Sequence, residues 1–74
     1  MPVIIHVNGE RREVTAQLSL STLIDQLELP PQRIAVELNR EVIRRANWEI
    51  TVLQEDDRVE IVHFVGGGCA FASA

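Results

Sequence analysis

The chain opens on Val3-Ile4-Ile5-His6-Val7, an alternating β-branched run that passes directly into Asn8-Gly9. That pair constrains the fold more than any other feature. Both central residues of a tight hairpin turn take positive φ, and Asn followed by Gly does so at least cost. The chain therefore doubles back at residue 9, and Arg11 to Thr15 reads as the returning strand. The two-residue period of a strand puts Val3, Ile5 and Val7 on an inward face and His6 outward. A two-stranded hairpin does not persist alone in water, so its apolar face needs a cover.

From Ser19 the period changes. Leu20, Leu23, Ile24 and Leu27 fall at i, i+3, i+4 and i+7, one stripe of an amphipathic helix. Ser19 is the expected N-cap. Pro30-Pro31 is expected to end the helix after about two and a half turns, because proline cannot donate to it and extends the residue before it. So short a helix depends on packing its stripe against a sheet. Ile34, Val36 and Leu38 then alternate with Ala35, Glu37 and Asn39 as a third strand, and Asn39-Arg40-Glu41 reads as a turn into a short strand at Val42-Ile43. Arg44 to Thr51 has no clean period; Trp48 is expected there as a core plug on a loop or single helical turn. Glu55-Asp56-Asp57 reads as an acidic turn, and Arg58 to Val65 as the last strand, leading into Gly66-Gly67-Gly68.

The order ββαβ(β)β places the chain in the α+β class, as a mixed sheet of four to five strands packed on one main helix. Placing the first and last strands side by side in parallel satisfies a central ladder while the helix covers one face; the pattern permits this pairing without requiring it. Seventy-four residues allow one domain. Residues 1–65 are expected to form it, residues 66–68 a flexible glycine tail, and residues 69–74 a C-terminal extension.

Composition narrows the function. With 46% apolar and 24% charged residues the chain is in the globular range. A net charge of -4 argues against nucleic acid as a partner, since phosphate binding needs a clustered positive surface. No apolar run approaches the ~20 residues that span a bilayer, and the N-terminus lacks a signal-peptide pattern, so no membrane role and a cytoplasmic location are expected. The single cysteine, Cys69, excludes an internal disulfide and cannot alone hold zinc or an iron–sulfur cluster. All seven basic residues are arginine. That lack of lysine fits drift in an arginine-rich proteome, and it also fits a chain whose activated C-terminus meets no internal amine.

A glycine run after a strand reads as a turn, a phosphate loop or a flexible tail. The phosphate loop is poorly supported, because no helix and no lysine follow to receive an anion. A tail has a physical use where a partner draws the chain end into a narrow active site, since glycine carries no Cβ. The working atom is then a C-terminal carboxylate, a poor electrophile that must first be activated, for instance as an acyl-adenylate.

Three segments resemble the ThiS family: Ile5-His6-Val7-Asn8-Gly9-Glu10, Ile34-Ala35-Val36-Glu37-Leu38-Asn39, and Asp57-Arg58-Val59-Glu60-Ile61-Val62-His63-Phe64-Val65-Gly66-Gly67-Gly68. The resemblance covers residues 3–68, and the last segment is the most specific. It implies a ubiquitin-like β-grasp fold and a sulfur carrier for the thiazole half of thiamin, a protein co-substrate and not an enzyme. It implies that a ThiF-like adenylyltransferase, using ATP and magnesium, activates the Gly68 carboxylate, with Gly66 and Gly67 as tail. Sulfur from a cysteine desulfurase or other persulfide donor then makes a thiocarboxylate, which a ThiG-like thiazole synthase consumes. No permanently bound cofactor, no metal and no catalytic residue is expected in the chain itself.

The family pattern stops at the last glycine, whereas Cys69 to Ala74 follow here. Gly68 in a peptide bond has no carboxylate to adenylate, so removal of the extension by a peptidase between Gly68 and Cys69 is expected; an artificial remnant or an inactive form are the alternatives. Attack of the Cys69 thiol on the glycyl carbonyl is a weaker reading than its being discarded with the extension. Rival functions are a carrier for molybdopterin, cysteine or a secondary metabolite, a ubiquitin-like covalent protein modifier, and a regulatory binding module with an unused tail. On the last strand, Val62 and Phe64 alternate against Val59 and Ile61, and are expected to face outward as a partner-docking patch unless a terminal loop covers them. His6 and His63 lack the further ligands of a metal site, and Arg11, Arg12, Arg44 and Arg45 read equally well as docking charges or solvated ones.

Overall fold

A computed structural model describes residues 1–65 and 70–73, with side chains over 1–64. Strand β1, Val3–Val7, turns at Asn8-Gly9 into β2, Glu10–Val14; both turn residues have positive φ, 50° and 83°, as the hairpin demands. Helix α1 spans Leu20–Gln26. A 3₁₀ turn at Pro31–Arg33 leads into β3, Ile34–Leu38, and β4 is Glu41–Ile43. A 3₁₀ segment over Arg45–Ile50 precedes β5, Arg58–Val65, and β6 is Ala70–Ser73.

The sheet runs in the order β2-β1-β5-β3-β4. Strand β5 lies at its centre, antiparallel to β3 over Val59–His63 and parallel to β1 at His6↔Arg58 and Val7↔Val59. The parallel pairing that the sequence merely permits is therefore present, in a mixed sheet with one α-helix on its inner face. Against the expected four or five strands there is a sixth. Strand β6 pairs antiparallel with β5 from Val62↔Ser73 to Val65↔Ala70. Because Val62 and His63 already face β3 on one edge, β6 occupies the other, continuing the row that β1 begins.

The inner face is built as the periodicities dictate. Ile5, Ile34, Val36, Val59 and Ile61 of the sheet bury against Leu20, Leu23 and Ile24 of α1, with Leu18, Leu53 and Trp48 closing the sides. Trp48 is 4% exposed, and its Nε1 donates to the Ile43 carbonyl at 2.9 Å, so the indole enters the core without stranding its one polar atom. The start of α1 is fixed twice. Ser19 Oγ accepts from the Thr22 N–H at 3.1 Å, the expected cap, and the Leu20 and Leu53 amides bond across to Thr51 and Leu18 at 2.8 Å.

The helix ends earlier than its prolines suggest. Glu28 has φ 57°, its N–H bonds Asp25 O at 3.0 Å, and the Leu29 N–H bonds Ile24 O at 3.3 Å. This is a Schellman closure with a left-handed glutamate in the place glycine usually takes. Leu29 then packs against the core. The prolines follow a helix already closed, and Pro31 opens the next 3₁₀ turn. No helix among the described residues is long and apolar enough to cross a membrane.

Candidate functional site at the end of the last strand

Two asparagines, one at each hairpin turn, fix the strand that leads to the tail. Asn8 donates its backbone N–H to Val59 O at 2.8 Å. Its side-chain Oδ1 accepts from the Ile61 N–H at 2.7 Å, and its Nδ2 donates to Ile61 O at 3.4 Å. The amide thus takes the place of the next β1 residue, extending the parallel ladder where β1 has turned away. Asn39, at φ 52°, accepts from the Arg58 N–H through Oδ1 at 2.9 Å and donates to Asp57 Oδ1 at 3.0 Å. The start of β5 is held from the β3 side and its middle from the β1 side.

The acidic turn contributes to the same end. Asp57 Oδ2 accepts from the Gln54 N–H at 2.8 Å and Glu55 Oε1 from the Ile4 N–H at 3.0 Å. These carboxylates are spent on backbone donors of the turn and of β1, which is a structural use of all but Asp56 in the triplet. Asp56 Oδ1 lies 4.0 Å from His6 Nε2.

Alternation along β5 sorts its side chains. Val59 and Ile61 are 1% exposed, while Glu60 and Phe64 are exposed and Val62 is half-buried. On the outer face Val62 stands opposite Ala35, and Phe64, 42% exposed, lies one step nearer the tail. Further from the tail that face turns charged, with Glu37 opposite Glu60 and His6 between Arg11 and Arg58. The outer face is apolar where the tail begins and charged along its middle, although Val42 of β4, opposite Glu37, is also exposed there. Val62 and Phe64 thus lie on the outer face, with Ser73 and Phe71 of β6 opposite them in the β5 ladder.

The two histidines do not meet. His6 is opposite Arg58, so His63 lies five residues further along, about 16 Å at strand rise. His6 also shares the outer face, while His63 shares the face of Ile61. Gly66, Gly67, Gly68 and Cys69, which carry the expected attachment, tail and cleavage positions, lie outside the described residues.

Residues 5–68 match the model of the ThiS family. The chain belongs to that family. The match ends at Gly68, so Cys69 to Ala74 fall beyond it. The "Sulfur carrier protein ThiS" of Bacillus subtilis is 36% identical over 50 residues, covering 68% of this chain and 76% of that one. A solved structure of thiamine biosynthesis protein ThiS from Geobacter metallireducens superposes with a TM-score of 0.79 at 32% identity, covering 89% of this chain and all of that one. The β-grasp fold is thus that of a ThiS protein. A "Thiazole synthase" from Magnetococcus marinus is 45% identical over 64 residues, 86% of this chain; the chain spans only 20% of that relative's length.

Sequence reasoning missed the Asn8 and Asn39 clamps and the strand β6. The asparagines were readable as turn residues, but no local pattern tells which distant amides their side chains reach.

Proposed function

We propose that this ThiS-family chain is a sulfur carrier in thiamin biosynthesis that works through Gly68 once Cys69 to Ala74 have been removed. A peptidase hydrolyses the Gly68–Cys69 bond and leaves a carboxylate. A ThiF-like adenylyltransferase, with ATP and magnesium, converts that carboxylate to an acyl-adenylate and releases pyrophosphate. A persulfide from a cysteine desulfurase or similar donor displaces AMP, and a thiol then cleaves the sulfur–sulfur bond to leave a thiocarboxylate. A ThiG-like thiazole synthase takes the sulfur and returns the carboxylate. The chain is a co-substrate throughout, and ATP and magnesium belong to its activating enzyme.

The observation that carries this reading is a family match ending at the third glycine of a run that directly follows the core strand β5. Side chains bulkier than hydrogen obstruct passage of a chain end through a narrow catalytic channel, and glycine does not. The outward Val62 and Phe64 give the enzyme an apolar foothold beside the tail, of the kind that aromatic anchors supply in interfaces.

The test is intact mass after co-expression with a ThiF-like enzyme, a persulfide donor and a candidate peptidase. The expected product ends at Gly68 with one oxygen replaced by sulfur. A chain that keeps all six trailing residues and still donates sulfur sinks the Gly68 mechanism. High-mass conjugates in place of the thiocarboxylate would point instead to a protein modifier.

A further inference from the structure

Strand β5 has an edge that the extension occupies. The Asn8 side chain bonds both the N–H and the C=O of Ile61, so these two groups point toward the β1 edge. By the two-residue period, the N–H and C=O of His63 and Val65 point the same way. Strand β1 pairs only as far as Val7↔Val59 and cannot serve them. Strand β6 does, in the register His63↔Ala72 and Val65↔Ala70. Both are then hydrogen-bonded pairs of an antiparallel ladder, with the Ala72 N–H directed at His63.

We infer that the β5 edge at His63 and Val65 is a strand-docking site, held by the extension in the uncut chain and taken by an extended segment of the tail-activating enzyme after the extension is removed. The inference rests on the sulfur-carrier reading above. The edge accepts an antiparallel strand in a defined register, as β6 shows. Cleavage at Gly68 severs β6 from the domain, and so short a strand loses the effective concentration that its tether provided. The trimmed chain would then expose backbone groups beside half-buried Val62 and exposed Phe64, a combination that strand addition recognises through main-chain bonds and alternate side chains. A strand laid along His63 to Val65 also ends where Gly66 begins, so it aligns the tail at the entrance of the enzyme that receives it.

Amide hydrogen exchange tests both halves. In the full chain the His63 and Val65 amides should exchange at least tenfold more slowly than in Ala72→Pro, or in a chain lacking residues 70–74, while the Val36 amide in β3 stays protected in all three. Equal exchange at His63 and Val65 across the three overturns the inference. The chain ending at Gly68 covers the whole family match, and there the two amides should be fast. They should slow tenfold or more when a ThiF-type adenylyltransferase is added in excess without ATP. If that enzyme releases pyrophosphate with the trimmed chain and ATP while both amides remain fast, strand docking is wrong and the carrier reading stands. If no pyrophosphate is released, the carrier reading fails and the inference falls with it.

Discussion

Replacing Asn8 separates two things it does at once: it holds a left-handed backbone and it clamps Ile61. At φ 50° an alanine carries a strain of about 1 kcal/mol or somewhat more, which glycine does not feel. Losing the side-chain amide leaves the part-buried Ile61 N–H without its 2.7 Å partner, at a cost of about 1–3 kcal/mol. Asn8→Gly should therefore destabilise the domain by about 1–3 kcal/mol through the lost clamp alone. Asn8→Ala should be worse by about 1 kcal/mol, through backbone strain.

Urea unfolding followed by Trp48 fluorescence reads this directly, since the chain has one tryptophan. With a slope of about 1 kcal/mol per molar for so small a domain, the midpoint of Asn8→Gly should fall by about 1 M or more at unchanged slope. A midpoint equal to that of the unsubstituted chain refutes the clamp as a stabilising element. An Asn8→Ala variant no worse than Asn8→Gly refutes the strain argument and leaves the clamp standing.

Other substitutions probe other steps. Glu28→Gly removes a side chain from the left-handed residue that closes α1 and should raise stability by about 1 kcal/mol, read as a higher urea midpoint. Ser19→Ala removes the helix cap and should lower it by about 1 kcal/mol. Trp48→Phe leaves the Ile43 carbonyl without its indole donor and a space behind the smaller ring; a thermal melt by circular dichroism should show a loss of at least about 1 kcal/mol. Phe64→Ser should weaken binding to a ThiF-type adenylyltransferase about tenfold by titration calorimetry, while shifting the melting temperature less than Leu23→Ala does in the core.

The parts of this fold that were legible in the sequence are those whose cause is local. A two-residue alternation before Asn8-Gly9 suffices for the first hairpin, and the Leu20, Leu23, Ile24 stripe suffices for the helix. The strands at Ile34–Leu38 and Arg58–Val65 follow the same rule. The helix end was misread because closure by a left-handed residue usually announces itself with glycine, and here Glu28 takes that conformation. The sixth strand was illegible for another reason. Apart from Phe71, Cys69 to Ala74 is made of small residues with no β-branched run, and Ala70–Ser73 pairs because β5 offers an unserved edge, which is a property of the sheet. At the site, the outward Val62 and Phe64 followed from period alone, whereas Gly68 acquired a role only through resemblance to a family.

The geometry of β5 explains why the end of this chain matters more than its length suggests. Among the described side chains, the buried core runs from Ile5 to Ile61, and β5 continues past it to Val65. Beyond Ile61 the strand presents an edge, an outward phenylalanine and the root of the tail. A longer parallel overlap with β1 would have sealed that edge permanently. The chain instead turns at Asn8, lends one side-chain amide to Ile61, and leaves His63 and Val65 to a strand supplied from outside the core. Lengthening β1 by moving the Asn-Gly turn two residues later should thus stabilise the domain and, if the edge is where the activating enzyme docks, abolish adenylation of the trimmed chain. Pyrophosphate release that survives such a graft, with the extra β1 pairs verified by hydrogen exchange, would show that the edge is not what the enzyme uses.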